Sequence, residues 1–158
     1  MIRKKILLLG DFAVGKSSLI QRYIDNTFDD SYLSTIGVKI SKKCVEVNET
    51  KSELLIWDIE GATSVKQIPH SYFKGASGAI FVCDVNRQES IESINEHINT
   101  FLMFNNNSKY VIAYNKSDLL SISQKELLNL SGNTLLTSAK ENENVEKLFT
   151  LLTKEILL

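Results

Sequence analysis

The sequence predicts an α/β fold: a mostly parallel six-stranded sheet with one antiparallel edge strand and helices on both faces. Three observations carry that prediction. Short apolar runs alternate along the chain with stretches whose apolar residues recur at helical spacing, the pattern of strand–helix–strand crossovers. The run Ala79–Val85 is apolar throughout its first five residues, as strands covered on both faces are. Only the segment from Val45 to Trp57 reads as two strands joined by a tight turn, and this hairpin supplies the antiparallel edge.

Each element follows in order. Arg3, Lys4 and Lys5 precede Ile6–Leu9, but this apolar run is too short for the ~7–15-residue core of a secretory signal. Asp11 follows almost at once, so the run reads as a first strand. A helix from about Lys16 to Asn26 gathers Leu19, Ile20, Tyr23 and Ile24 on one face. Val45 and Val47 alternate with polar neighbours, and Asn48-Glu49-Thr50-Lys51 reads as a turn into Leu54–Trp57. Ile91, Ile94, Ile98, Phe101 and Leu102 keep one helical stripe, and Tyr110–Tyr114 is a further strand. Ser123 with Glu126 resembles a capping box that opens a short helix with Leu127 and Leu128 turned inward. Leu135–Leu136 is a brief strand, and Val145, Leu148, Phe149 and Leu152 stripe a final helix.

With 158 residues the chain has the length of one domain. A domain of that size buries roughly 68–70% of its extended surface and needs no disulfide to hold a core. Lys and Arg number 18 against 19 Asp and Glu, a net charge of −1 that argues against nucleic-acid partners. Cys44 and Cys83 sit in apolar runs and read as buried small hydrophobes in a reducing compartment. His70 and His97 fall at no metal-ligand spacing and read as surface or packing residues. No run approaches the ~18–20 apolar residues of a membrane span.

In a parallel sheet of this kind, ligands bind beyond the carboxyl ends of the strands. After the first strand comes Gly10-Asp11-Phe12-Ala13-Val14-Gly15-Lys16-Ser17, followed by Ser18. This is G-x-x-x-x-G-K-S between a strand and a helix, the setting of a P-loop. Its glycines let successive backbone N–H groups turn inward toward phosphate, and the helix N-terminus adds positive potential. Lys16 reaches the terminal phosphates and Ser17 offers a hydroxyl to Mg²⁺. A second strand ends in Asp58-Ile59-Glu60-Gly61. Asp58 there suits a water on Mg²⁺, though such residues also cap helices, and Gly61 can bring its N–H to a γ-phosphate.

The Tyr114 strand runs into Asn115-Lys116-Ser117-Asp118. An ionised Asp118 matches the N1–H and N2–H₂ donors of guanine, a pair that adenine lacks, and a site built on such a group rejects the mismatch by ~10⁴-fold or more. Lys116 can cover the purine ring, and Asn115 can tie this loop to the P-loop. The last strand ends in Thr137-Ser138-Ala139-Lys140, where the Ala139 N–H can meet guanine O6 and Lys140 can cover the opposite ring face.

With these motifs in order, the chain resembles the small GTPases of the Ras superfamily, most of all the Rab family, from about Ile6 to Ile156. Asp25-Asn26-Thr27-Phe28, Ser34-Thr35-Ile36-Gly37-Val38, Tyr72–Ala76 and Asp84-Val85-Asn86 are similar to Rab segments. The resemblance implies one G domain over residues 1–158, a P-loop NTPase fold, GTP or GDP with Mg²⁺ as cofactors, and a role in membrane trafficking. It places Phe28 against the guanine, Thr35 on Mg²⁺ and the γ-phosphate, and Gly61 as the anchor of switch II. Lys16, Thr35 and Gly61 are the expected catalytic residues. Loss of the γ-phosphate would release both switch loops. The expected partners are protein effectors, exchange factors and activating proteins meeting residues 28–40 and 60–75 of a monomer.

Four departures from that pattern carry their own expectations. Ala62 stands where the family has the glutamine that orients the attacking water, so slow GTP hydrolysis is expected. Phe12 and Ala13 replace small P-loop residues, and a phenyl ring there would crowd a partner's arginine finger, a group worth ~10³–10⁵ in rate. Lys39 and Ile40 replace an acid and an aromatic, which bears on effector choice. Rab-like proteins generally end in cysteines for lipid attachment, whereas the last cysteine here is Cys83. No direct lipid anchor is therefore expected in this chain, which would be cytoplasmic and reach a membrane through a partner or a further segment. A hydrolysis-deficient module that recruits partners constitutively is the alternative. A nucleotide kinase would clamp phosphates with several arginines, and only Arg3, Arg22 and Arg87 are present, none in a lid-like insert.

Overall fold

The computed structural model describes residues 1–29, 37–59, 67–128 and 130–157. Its strands are β1 (Ile2–Leu9), β2 (Val38–Val47), β3 (Thr50–Ile59), β4 (Ala76–Asp84), β5 (Lys109–Asn115) and β6 (Thr134–Leu136). The helices are α1 (Lys16–Asp25), α2 (His70–Phe73), α3 (Gln88–Glu92), α4 (Ile94–Phe104), α5 (Ile122–Glu126) and α6 (Val145–Leu157). The strands form one sheet in the order β2-β3-β1-β4-β5-β6. All neighbouring pairs are parallel except the β2–β3 edge. The expected α/β architecture is therefore the observed one.

Alternation along β1 divides the core. Ile6 and Leu8 face one side and pack with Leu19, Ile20 and Tyr23 of α1 and Leu148, Phe149 and Leu152 of α6. Leu7 and Leu9 face the other and pack with Phe73 of α2 and Ile94, Ile98 and Phe101 of α4. The Tyr23 and Phe149 rings stack at 3.9 Å between centroids, joining α1 to α6. From β1 the chain runs to β2 and β3 on one side and then crosses to β4 on the other. The carboxyl end of β1 thus lies where the direction of winding reverses, the usual place for a ligand in such sheets.

Four local expectations are corrected. The hairpin turn is two residues, Asn48 and Glu49, because Val47 pairs with Thr50 and both turn residues have positive φ. The Ile91–Leu102 stripe is two helices, broken at Ser93. The capping box is Ser121 with Gln124, two positions earlier than expected. Two residues turn a helix by about 200°, and the short helix ends at Glu126, so Leu127 is 84% exposed rather than inward. Cys44 is exposed, since edge strand β2 alternates and places it on the same face as Lys42 and Glu46; only Cys83 is buried.

A strand-end candidate nucleotide site

The loop between β1 and α1 is shaped by close backbone contact. A Cβ on Gly10 would lie 2.2 Å from the Val82 carbonyl oxygen, and one on Gly15 would lie 2.3 Å from Asn115 Nδ2. Gly15 precedes α1 with φ of +103 and provides no side-chain cap, and no acid stands in the first turn. Gly15 thus offers no side chain to cap α1, and a helix start of this kind favours an anion. Lys16 is buried and donates from Nζ to the carbonyls of Gly10 and Asp11, each at 3.1 Å. Burial pushes its ammonium down to about 8; Asp58 and Asp11 raise it, and Arg87 lowers it further. A buried cation beside an uncapped helix start fits phosphate.

At the end of β3, Asp58 is buried, and the Ser17 hydroxyl donates to its Oδ2. A hydroxyl and a carboxylate oxygen side by side are hard donors that fit Mg²⁺. Ser18 follows, half-buried in α1.

The β5 and β6 ends meet the same loop. Asn115 Nδ2 donates to the Val14 carbonyl at 3.0 Å, and Asn115 Oδ1 accepts from Thr137 Oγ1 at 3.0 Å. Lys116 donates to the Ala13 carbonyl at 2.9 Å and pairs with Asp84 at 3.2 Å. Asp118 Oδ1 accepts from Ser138 Oγ at 2.7 Å. Ala139 is buried and Lys140 exposed. Phe28 is partly buried against the core face formed with α1 and α6. Phe12 is 48% exposed, at the outer lip of the loop. Thr35, Gly61 and Ala62 lie outside the described residues.

Several contributors escaped the sequence reading. Arg22, on α1, donates from Nε to the Ala139 carbonyl at 2.8 Å and from Nη2 to the Lys140 carbonyl at 3.0 Å. Thr137 orients Asn115, and Asp84 pairs with Lys116. Arg87 Nη1 donates to the Phe12 carbonyl, while Ser93 and His97 both reach the Asp11 carboxylate. His97 is thus more than a packing residue. Only the basic character of Arg22 and Arg87 was visible beforehand, since nothing local marks a carbonyl far along the chain as its partner.

A parallel sheet whose first strand turns through a glycine-bounded loop into a helix opening on Lys16 and Ser17 defines a P-loop nucleotide-binding protein. A sequence model of the Ras family matches residues 5–158, and the chain belongs to that family. It is a small GTPase that binds guanine nucleotide. Members of the family bind GTP or GDP with Mg²⁺ and generally work with effectors, exchange factors and activating proteins.

Proposed function

We propose that this protein is a Rab-like guanine-nucleotide switch that hydrolyses GTP slowly. Residues Gly10–Ser18 cradle the phosphates, with Lys16 on the terminal ones. Ser17, Thr35 and Asp58 hold Mg²⁺, directly or through water. Bound Mg²⁺ would neutralise charge on the phosphate oxygens. Asp118 reads guanine, Ala139 meets its O6, Lys116 and Lys140 flank the ring, and Phe28 closes one side. The contacts supporting this reading are the Asn115 bridge to Val14 and the Ser138 bond that orients Asp118.

The observation that carries slow hydrolysis is Ala62. A methyl group neither donates nor accepts a hydrogen bond, so it cannot orient a water. The exposed Phe12 ring adds an obstacle where a partner's arginine would approach. Single-turnover hydrolysis of GTP by the wild type and Ala62→Gln tests this. Restoring the amide should accelerate hydrolysis about tenfold or more; a fast wild type with no gain in the variant would defeat the proposal. A wild type with no measurable turnover, still capturing partners when GTP-bound, would favour a constitutive recruiter.

The Rab resemblance supports membrane trafficking as the setting, with peripheral attachment through a partner or further segment. Cell fractionation with GTP- and GDP-loaded protein tests it: the GTP form should sediment with membranes, and equal partitioning of both forms would argue against it.

A further inference from the structure

We propose that Ser93 and His97 are positioning residues for the phosphate loop, gripping the Asp11 carboxylate from the α3–α4 junction so that the Asp11 main chain holds the Lys16 ammonium. This rests on the phosphate-loop reading above. Asp11 Oδ2 accepts from Ser93 Oγ at 2.8 Å, and its Oδ1 lies 3.1 Å from His97 Nε2. A carboxylate only accepts, so Nε2 carries the hydrogen. The same Asp11 accepts from Lys16 Nζ through its carbonyl. Asp11 therefore links a helix junction to the buried cation of the loop.

Two features of the junction bear on this contact. Ser93 joins α3 to α4 with helical backbone angles, φ −76 and ψ −10, and so lacks the extended conformation in which a serine caps a helix. Its hydroxyl lies 2.8 Å from Asp11 Oδ2 and 3.2 Å from the Ser90 carbonyl, and its one hydrogen takes the shorter bond to the charged acceptor. The His97 side chain is only 7% exposed, and its Nδ1 is buried with no partner among the described residues. An unsatisfied buried nitrogen is a cost that an apolar side chain would avoid; what the imidazole adds is the bond to Asp11. The loop also needs such support, because Ala13 holds a left-handed φ of 62 that a non-glycine residue disfavours. Arg87 fixes the neighbouring Phe12 carbonyl from the same side.

The test is the release rate of a fluorescent GDP analogue from the full chain with Mg²⁺, chased with excess GDP. His97→Ala and Ser93→Ala should each speed release about tenfold. His97→Gln retains a donor near the Nε2 position and should return to within about threefold of wild type, whereas His97→Leu should not. In an Asp11→Ala background, His97→Ala should add nothing. Nitrogen NMR of the wild-type imidazole should show hydrogen on Nε2. Unchanged rates in both alanine variants, full rescue by leucine, or additivity with Asp11→Ala would overturn the proposal while leaving the nucleotide site standing. A wild type that takes up no guanine nucleotide would overturn the site reading and this proposal with it.

Discussion

Gly15 meets two demands at once. Its φ of +103 disfavours a side chain, and a Cβ would lie 2.3 Å from Asn115 Nδ2. Gly15→Ala must therefore displace Asn115 from the Val14 carbonyl, and guanine-nucleotide affinity should fall at least about tenfold, measured by titration with a fluorescent analogue. The two cysteines differ for a comparable reason of place. Burial pushes the Cys83 thiol up to about 12, and Asp84 and Asp11 push it the same way. Between roughly pH 9 and 12 the unfolded thiol loses its proton while the folded one keeps it, so this group removes stability as pH rises through that window. At pH 9.5, a thiol-labelling assay should count one fast site, Cys44, in the folded protein and two in denaturant. Two fast sites in the folded protein would contradict the burial of Cys83.

At the scale of elements, the β2–β3 hairpin stores a correctable strain. Asn48 and Glu49 both take positive φ, 51 and 66, as a two-residue turn of this hand requires. Asparagine tolerates that conformation, but glutamate pays for its Cβ. Glu49→Gly should stabilise the protein by about 0.5–1 kcal/mol, the strain relief exceeding the added unfolded-state entropy, as read by chemical denaturation; a loss of stability would show that the glutamate side chain contributes more than the turn. The hairpin was legible as a hairpin because Val45 and Val47 alternate ahead of a polar turn. Its length was not, because Thr50 and Lys51 are turn-compatible residues that pairing with Val47 and Glu46 draws into β3. The break between α3 and α4 was hidden similarly. The stripe from Ile91 to Leu102 continues through it, while the Ser93 hydroxyl is engaged by Asp11, 82 positions earlier. In α5, Ser123 with Glu126 offers as apt a cap as the Ser121–Gln124 pair that operates, and the two-position difference decides which side Leu127 takes.

For the whole molecule, the strand-end loops are tied into one unit by bonds from Asn115, Lys116 and Arg22. A ligand held across those loops stabilises every element that carries them. GDP with Mg²⁺ at a thousandfold excess over Kd should add about 4 kcal/mol, seen as a rise in Tm. Chelating Mg²⁺ with EDTA should remove a large share of that gain, and a Tm indifferent to both nucleotide and EDTA would argue against the site.

By itself, the sequence determined the order of the six strands, the phosphate-loop motif and its setting between a strand and a helix. These are signalled by neighbours in the chain, through side-chain period and glycine spacing. Tertiary structure decided which side chains hold the loops in place. Asp11 meets His97 across 86 positions, and Arg22 meets Ala139 across 117. A polar residue bonded to a distant carbonyl or carboxylate carries no local pattern, and only the crossing of strands at the carboxyl edge of the sheet brings such partners within hydrogen-bond reach.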